Sequence, residues 1–236
     1  FAKVTSSGDA NNITYSYQNF PALEKEAYSR TLKTILPKVQ FSLEKFTLEG
    51  KQGDMTNWTT FGNWMYNSLL TPVSVVTAEI KAEVTALNLT GTTSEKVKKI
   101  YQYMQNKTRY VNVSIGIGGW QPMPPEEVRK KGYGDCKGLT NYMKTLLDAA
   151  GIKSYYSVIT SDETPQSFDP DFPKMGGNHV ILMIPTEKDP IWLENTSQQI
   201  AFNHLSFNTT DRNVLAVKEN GIEIINTPIY KPEENQ

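Results

Sequence analysis

The chain has 236 residues, room for one large domain or for one domain with a fragment of another. Its formal net charge is −1, so no strong field invites nucleic acid or an anionic membrane surface. A single cysteine excludes an internal disulfide and a cysteine-rich zinc site, and no apolar run approaches the ~20 residues of a membrane span. No secretory leader stands at the start, yet the first residue is Phe1 rather than methionine, so an upstream segment is expected to have been removed.

The first fifty residues read as the end of something. Ile13, Thr14, Tyr15, Ser16 and Tyr17 alternate as a strand does, and Val39, Gln40, Phe41, Ser42 and Leu43 alternate again. Pro21 and Pro37 interrupt the stretch between them. These are too few strands for an independent sheet. We therefore expect residues 1–52 to be the C-terminal remnant of a preceding β-rich domain. The polar, glycine-containing stretch 50–54 is the boundary, and residues 53–236 form a second domain.

Helical spacing follows. Phe61, Trp64, Met65 and Leu69 predict one helix, and Val73, Val76, Ile80, Val84 and Leu87 a second. Thr92 and Glu95 have capping-box spacing ahead of a third, whose apolar face is Val97, Ile100, Tyr101 and Met104. Residues 109–113 read as a short extended stretch. Gly116, Gly118 and Gly119 make a loop without the Lys-Ser/Thr ending of a nucleotide-binding turn. Pro125 opens a short helix.

The chain's only cysteine, Cys136, sits where a loop becomes a helix. Leu139, Tyr142, Met143, Leu146, Leu147 and Ala150 mark that helix's apolar face, Asp135 is a good N-cap, and Gly151 a good residue to end it. In the first helical turn the dipole and the unpaired N–H groups favour thiolate, the nucleophilic form. Beyond Gly151 the pattern becomes β. Residues 154–159, 179–184 and 191–194 read as strands, and residues 161–177 as a long acidic loop, either a lid or a disordered segment. Residues 214–217 and 222–225 read as a hairpin. Helices first and strands after predict an α+β fold, with helices packed on an antiparallel sheet.

A nucleophilic thiol needs a base, and the base needs an orienting acceptor. Of two histidines, His179 opens a buried strand beside the long loop, whereas His204 lies past the hairpin. Glu194, fifteen residues after His179 at the end of the neighbouring strand, is placed to fix its tautomer.

This order, cysteine at a helix start, histidine on one strand and an acid on the next, resembles the transglutaminase-like superfamily, relatives of papain-type proteases. The carriers are Tyr133-Gly134-Asp135-Cys136-Lys137-Gly138, Asn178-His179-Val180-Ile181-Leu182 and Trp192-Leu193-Glu194-Asn195-Thr196. The family usually has aspartate where this chain has Glu194. The resemblance is nearest to a bacterial branch in which a β-rich domain of unknown function precedes the transglutaminase-like domain; Gly118-Gly119-Trp120-Gln121-Pro122 matches that branch. It implies a papain-like core and acyl transfer through Cys136, His179 and Glu194. Gln121 is the implied oxyanion donor, and Trp120 either walls the substrate cleft or packs. Hydrolysis, as a protease or amidase, is expected over cross-linking. The alternative is a non-catalytic module that binds peptides or cell-envelope polymers. A peptide, protein or envelope substrate is expected, with no nucleic-acid partner, no cofactor and no metal. Export by Bacteroidetes-type bacteria implies a periplasmic or envelope location.

Overall fold

A computed structural model of the chain describes residues 4–9, 11–19, 22, 24, 26–27, 35–36, 38–113 and 115–235. The chain divides into two compact units, Phe1–Val39 and Gln40–Gln236. In the first, β1 (Val4–Gly8) and β2 (Ile13–Tyr17) form an antiparallel hairpin. The Asp9 carboxylate closes its turn by accepting from the backbone N–H of Asn11 at 2.8 Å and of Asn12 at 3.0 Å. Pro21 and Pro37, expected to interrupt this part of the chain, lie outside the described residues.

The division falls earlier than the boundary expected at residues 50–54. Those residues are instead the turn and second strand of a hairpin, β3 (Lys45–Leu48) with β4 (Lys51–Asp54). Phe46 packs this hairpin within the second unit, its ring lying edge-on to Trp64 at 4.7 Å and to Phe61 at 6.2 Å. The strand expected over Val39, Gln40, Phe41, Ser42 and Leu43 is not formed. Its contacts are with residues far along the chain: Ser42 Oγ donates to the Pro173 carbonyl at 2.5 Å, and Gln40 Oε1 accepts from Lys174 Nζ at 2.7 Å.

Five α-helices follow among the described residues, each with a start that its sequence explains. Helix α1 (Trp58–Trp64) is capped by Asn57, whose side chain accepts from Thr60 N at 2.9 Å. It runs on as a π-helical stretch, Met65–Leu70, which closes with Thr71 N donating to Tyr66 O at 2.8 Å. Helix α2 (Ala78–Ala86) is shorter than the apolar spacing predicts, because Thr77 caps it. Helix α3 (Thr93–Lys107) has the expected capping box between Thr92 and Glu95. Helix α4 (Pro125–Lys131) leads to α5 (Cys136–Ala149), which Asp135 caps and Gly151 ends at φ +72°.

After the short strands β5 (Arg109–Tyr110) and β6 (Tyr133–Gly134) come β7 (Tyr155–Ile159), β8 (His179–Ile184), β9 (Ile191–Leu193), β10 (Asn213–Lys218) and β11 (Gly221–Asn226). The last five form one sheet in the order β11-β10-β7-β8-β9, every neighbouring pair antiparallel. Side chains alternate between its faces. On one face Leu182, Ile184, Ile191 and Leu193 meet Leu139, Tyr142, Met143 and Leu146 of α5. Farther along that face, Tyr156, Val158, Leu215 and Val217 meet Trp58, Phe61 and Trp64 of α1. On the other, Ile181, Met183, Trp192, Val214 and Ala216 pack with Leu205. Each such fully buried side chain contributes about 1.5–3 kcal/mol. The architecture is the expected α+β arrangement. Among the described residues no helix is long and apolar enough to cross a membrane.

Candidate active site

Cys136 is the first residue of α5. The turn before it is pinned by a short parallel pairing of β5 (Arg109–Tyr110) with β6 (Tyr133–Gly134). Asp135 then fixes the helix start: Oδ1 accepts from Gly138 N at 2.9 Å, and Oδ2 holds the Lys137 ammonium. Both charged side chains are buried, so each satisfies a partner that would otherwise be costly to desolvate.

His179 is the first residue of β8. The loop before it is tied at its base by Asn178, whose Oδ1 accepts from Ser161 N at 2.7 Å and whose Nδ2 donates to Ser161 O at 2.9 Å. Its middle is held too. Phe168, 3% exposed, stands edge-on to Trp58, and Trp58 Nε1 donates to Asp169 O at 3.1 Å. This acidic loop is therefore neither a free lid nor unstructured; a buried aromatic anchors it, and it presents His179 from a fixed base.

The His179 imidazole has Cys136 on one side, the two lining one cleft. On the other, Nε2 lies 2.8 Å from Glu194 Oε2. The second carboxylate oxygen of Glu194 accepts from Thr196 Oγ1 at 2.7 Å and from Thr196 N at 3.1 Å. The Glu194 backbone carbonyl accepts from the buried Tyr101 hydroxyl at 2.6 Å. Burial works against the His179 imidazolium, but the hydrogen bonds and charges of Cys136 and Glu194 outweigh it and push the imidazole up to about 10. Burial likewise opposes the Glu194 carboxylate, yet His179 and Thr196 together hold it below the usual carboxylate range.

Cys136 and His179 share a cleft of about 210 Å³ with Met65, Tyr110, Trp120 and Tyr156. Of the residues singled out in the sequence, Cys136, His179 and Trp120 line this cleft, and Glu194 contacts His179. Gln121 is placed differently. It does not line the cleft, and its Nε2 donates to the Leu69 carbonyl at 3.1 Å. His204 stacks on Tyr230 with ring centroids 4.7 Å apart. Thr196 was visible in the Trp-Leu-Glu-Asn-Thr segment, but nothing local to the sequence signals that its hydroxyl turns back on Glu194. Met65 and Tyr156 reach the cleft through packing that only the fold defines. Among the described residues no group of three or more His, Cys, Asp or Glu side chains is placed to hold a metal ion.

The sequence model of the transglutaminase-like superfamily matches residues 78–194, a span that contains Cys136 and His179 and ends on Glu194. No curated protein matches the chain. A crystal structure from Parabacteroides distasonis, described as a "putative protease", is similar over 97% of this chain and 41% of its own, with a TM-score of 0.54 at 17% identity. A "putative cysteine protease" structure from Cytophaga hutchinsonii is similar over 66% of this chain and 46% of its own, with a TM-score of 0.39 at 14% identity. The chain therefore spans less than half the length of either structure. Residues 78–194 are thus similar in sequence to the transglutaminase-like superfamily, within an α+β chain whose fold is similar to that of the P. distasonis structure.

Proposed function

We propose that this chain carries out thiol-dependent acyl transfer on a peptide or carboxamide substrate, with water as the favoured acceptor. The observation that carries this reading is the 2.8 Å contact between Glu194 and His179, the residue that lines one cleft with Cys136. The Cys136 thiolate adds to the carbonyl carbon, forming a C–S bond. In this mechanism the Cys136 backbone N–H, ahead of the first intrahelical bond from Leu139 N to Asp135 O, donates to the developing oxyanion. Gln121 joins it only if its amide leaves Leu69. His179 gives its proton to the leaving nitrogen, the C–N bond breaks, and an acyl-thioester remains. Water then attacks, His179 takes a proton from it, the C–S bond breaks, and the acid departs. Glu194 keeps the ring oriented throughout and stabilises its charged form. Tyr110 and Asn112 at the cleft are exposed to solvent, so water is the most abundant acceptor there.

The test offers a labelled protein substrate both water and a primary amine. Release of free acid or new termini, abolished by Cys136→Ala, is the expected result. Amine incorporation exceeding hydrolysis would reverse the choice of acceptor, and turnover that persists in Cys136→Ala would end the reading.

A further inference from the structure

We propose that Thr140 is a positioning residue, whose hydroxyl sets the register between the three elements that carry Cys136, His179 and Glu194. The hydrogen bonds stand on their own; what that register serves rests on the acyl-transfer reading.

Helix α5 holds two threonines that are fully buried, Thr140 and Thr145. Thr145 does what a helical threonine commonly does: its hydroxyl bonds back to the Asn141 carbonyl one turn earlier, at 2.8 Å. Thr140 does not. Its hydroxyl leaves the helix and donates to the Val180 carbonyl at 3.3 Å, while accepting from Asn195 Nδ2 at 3.1 Å. Each partner adjoins the site. Thr140 lies one turn after Cys136, Val180 follows His179, and Asn195 follows Glu194.

The sheet explains why a brace is needed here. Strands β8 and β9 pair at Ile184 with Ile191, Met183 with Trp192 and Leu182 with Leu193, and there β9 ends. Two residues further, the same register would face Val180 with Asn195. The Thr140 hydroxyl bonds to both residues at this level, in place of the next rung. It thereby joins the strand that begins with His179 to the segment that carries Glu194, and both to the cysteine helix. Asn195 is 2% exposed, and its Oδ1 finds no partner among the described residues. A buried polar group left half-satisfied is costly, and an apolar contact at this place would avoid that cost.

The test is the titration of the His179 ring by proton NMR, in a His204→Gln background so that one imidazole remains. Wild type is compared with Thr140→Val, Thr140→Ser and Thr145→Val, and Cys136 alkylation is measured alongside. Thr140→Val should lower the His179 midpoint by about one pH unit, because the imidazolium loses part of its fixed partner. It should also slow His179-dependent alkylation by about tenfold or more, as a small misplacement of reacting groups does. Thr140→Ser should behave as wild type. Thr145→Val, which also deletes a buried hydroxyl, should move neither readout. A folded Thr140→Val with the wild-type midpoint and rate overturns the proposal, as does Thr145→Val moving them equally. If Thr140→Val does not fold, Asn195→Ala takes its place: a lowered midpoint supports the brace and an unmoved one overturns it. Failure of the acyl-transfer reading looks different, with wild-type alkylation indifferent to His179 while the midpoint still follows Thr140.

Discussion

Glu194 divides its two carboxylate oxygens between two jobs: Oε2 meets His179 Nε2 at 2.8 Å, and Oε1 is fixed by the Thr196 hydroxyl at 2.7 Å. A carboxylate held at one oxygen can aim the other. Glutamate has one methylene more than the aspartate usual in the superfamily, and the Thr196 contacts define where that extra length goes.

Thr196→Val removes a hydrogen bond to a charged, buried acceptor. Such bonds contribute about 1.5–3 kcal/mol, so urea denaturation should show a loss in that range. Thr196→Ser should recover most of it. A loss within error of zero for Thr196→Val would mean that the hydroxyl does not hold Glu194.

Glu194→Asp tests the same geometry from the other side. With Thr196 in place, the shorter arm cannot satisfy both contacts, and the variant should lose about tenfold or more in Cys136 reactivity. An unchanged rate would show that the site tolerates either acid and that the length of Glu194 is incidental.

Gly177 has φ +85°, and a Cβ there would come within 2.5 Å of Val158 Cγ1 and 3.1 Å of the Ile159 carbonyl. Gly177→Ala should cost about 1–3 kcal/mol in strain. Since His179 lies two residues on, alkylation of Cys136 should slow as well. A variant with wild-type stability and reactivity would contradict the fixed loop base.

The site also gives stability a pH window. The folded chain holds the His179 proton more tightly than the unfolded chain, whose imidazole titrates near the usual 6.5. Stability from this group is therefore complete below 6.5 and fades as pH rises toward about 10. Glu194 acts in the opposite sense. Its folded carboxyl is lowered from the usual 4.5, so its contribution is complete above 4.5 and is lost as pH falls below that. The stability difference between wild type and His179→Ala should accordingly be larger at pH 6 than at pH 10 in urea denaturation. The difference between wild type and Glu194→Gln should shrink below pH 4.5. A His179 difference that grows toward pH 10 would reverse the sign of the interaction.

Local chemistry made much of this molecule legible. The Thr92 and Glu95 box and the Asp135 cap need only neighbours three residues apart, and both formed as read. The apolar run of β8 and the hairpin of β10 with β11 were readable for the same reason. What failed depended on distant partners. The alternation of residues 39–43 offers a strand's face, but these residues pair with no neighbouring strand, and the contacts of Gln40 and Ser42 go to residues 174 and 173. The Gln121 amide could have faced the cleft, and the Leu69 carbonyl at the end of the π-helical stretch claims it instead. The acidic loop looked loose because its anchor, Phe168, is one aromatic in a polar segment, and its pocket beside Trp58 is visible only once the chain has folded.

The measurement that bears most directly on the account is the rate of Cys136 alkylation by iodoacetamide at pH 6, in wild type and in His179→Ala. The chain has one thiol, so the signal has one source. The account predicts rapid modification of wild type and a rate at least about tenfold slower in the variant, because a thiol nucleophile is activated by its adjacent histidine. Equal rates in the two proteins would show that His179 does not activate Cys136, and would contradict the proposed chemistry.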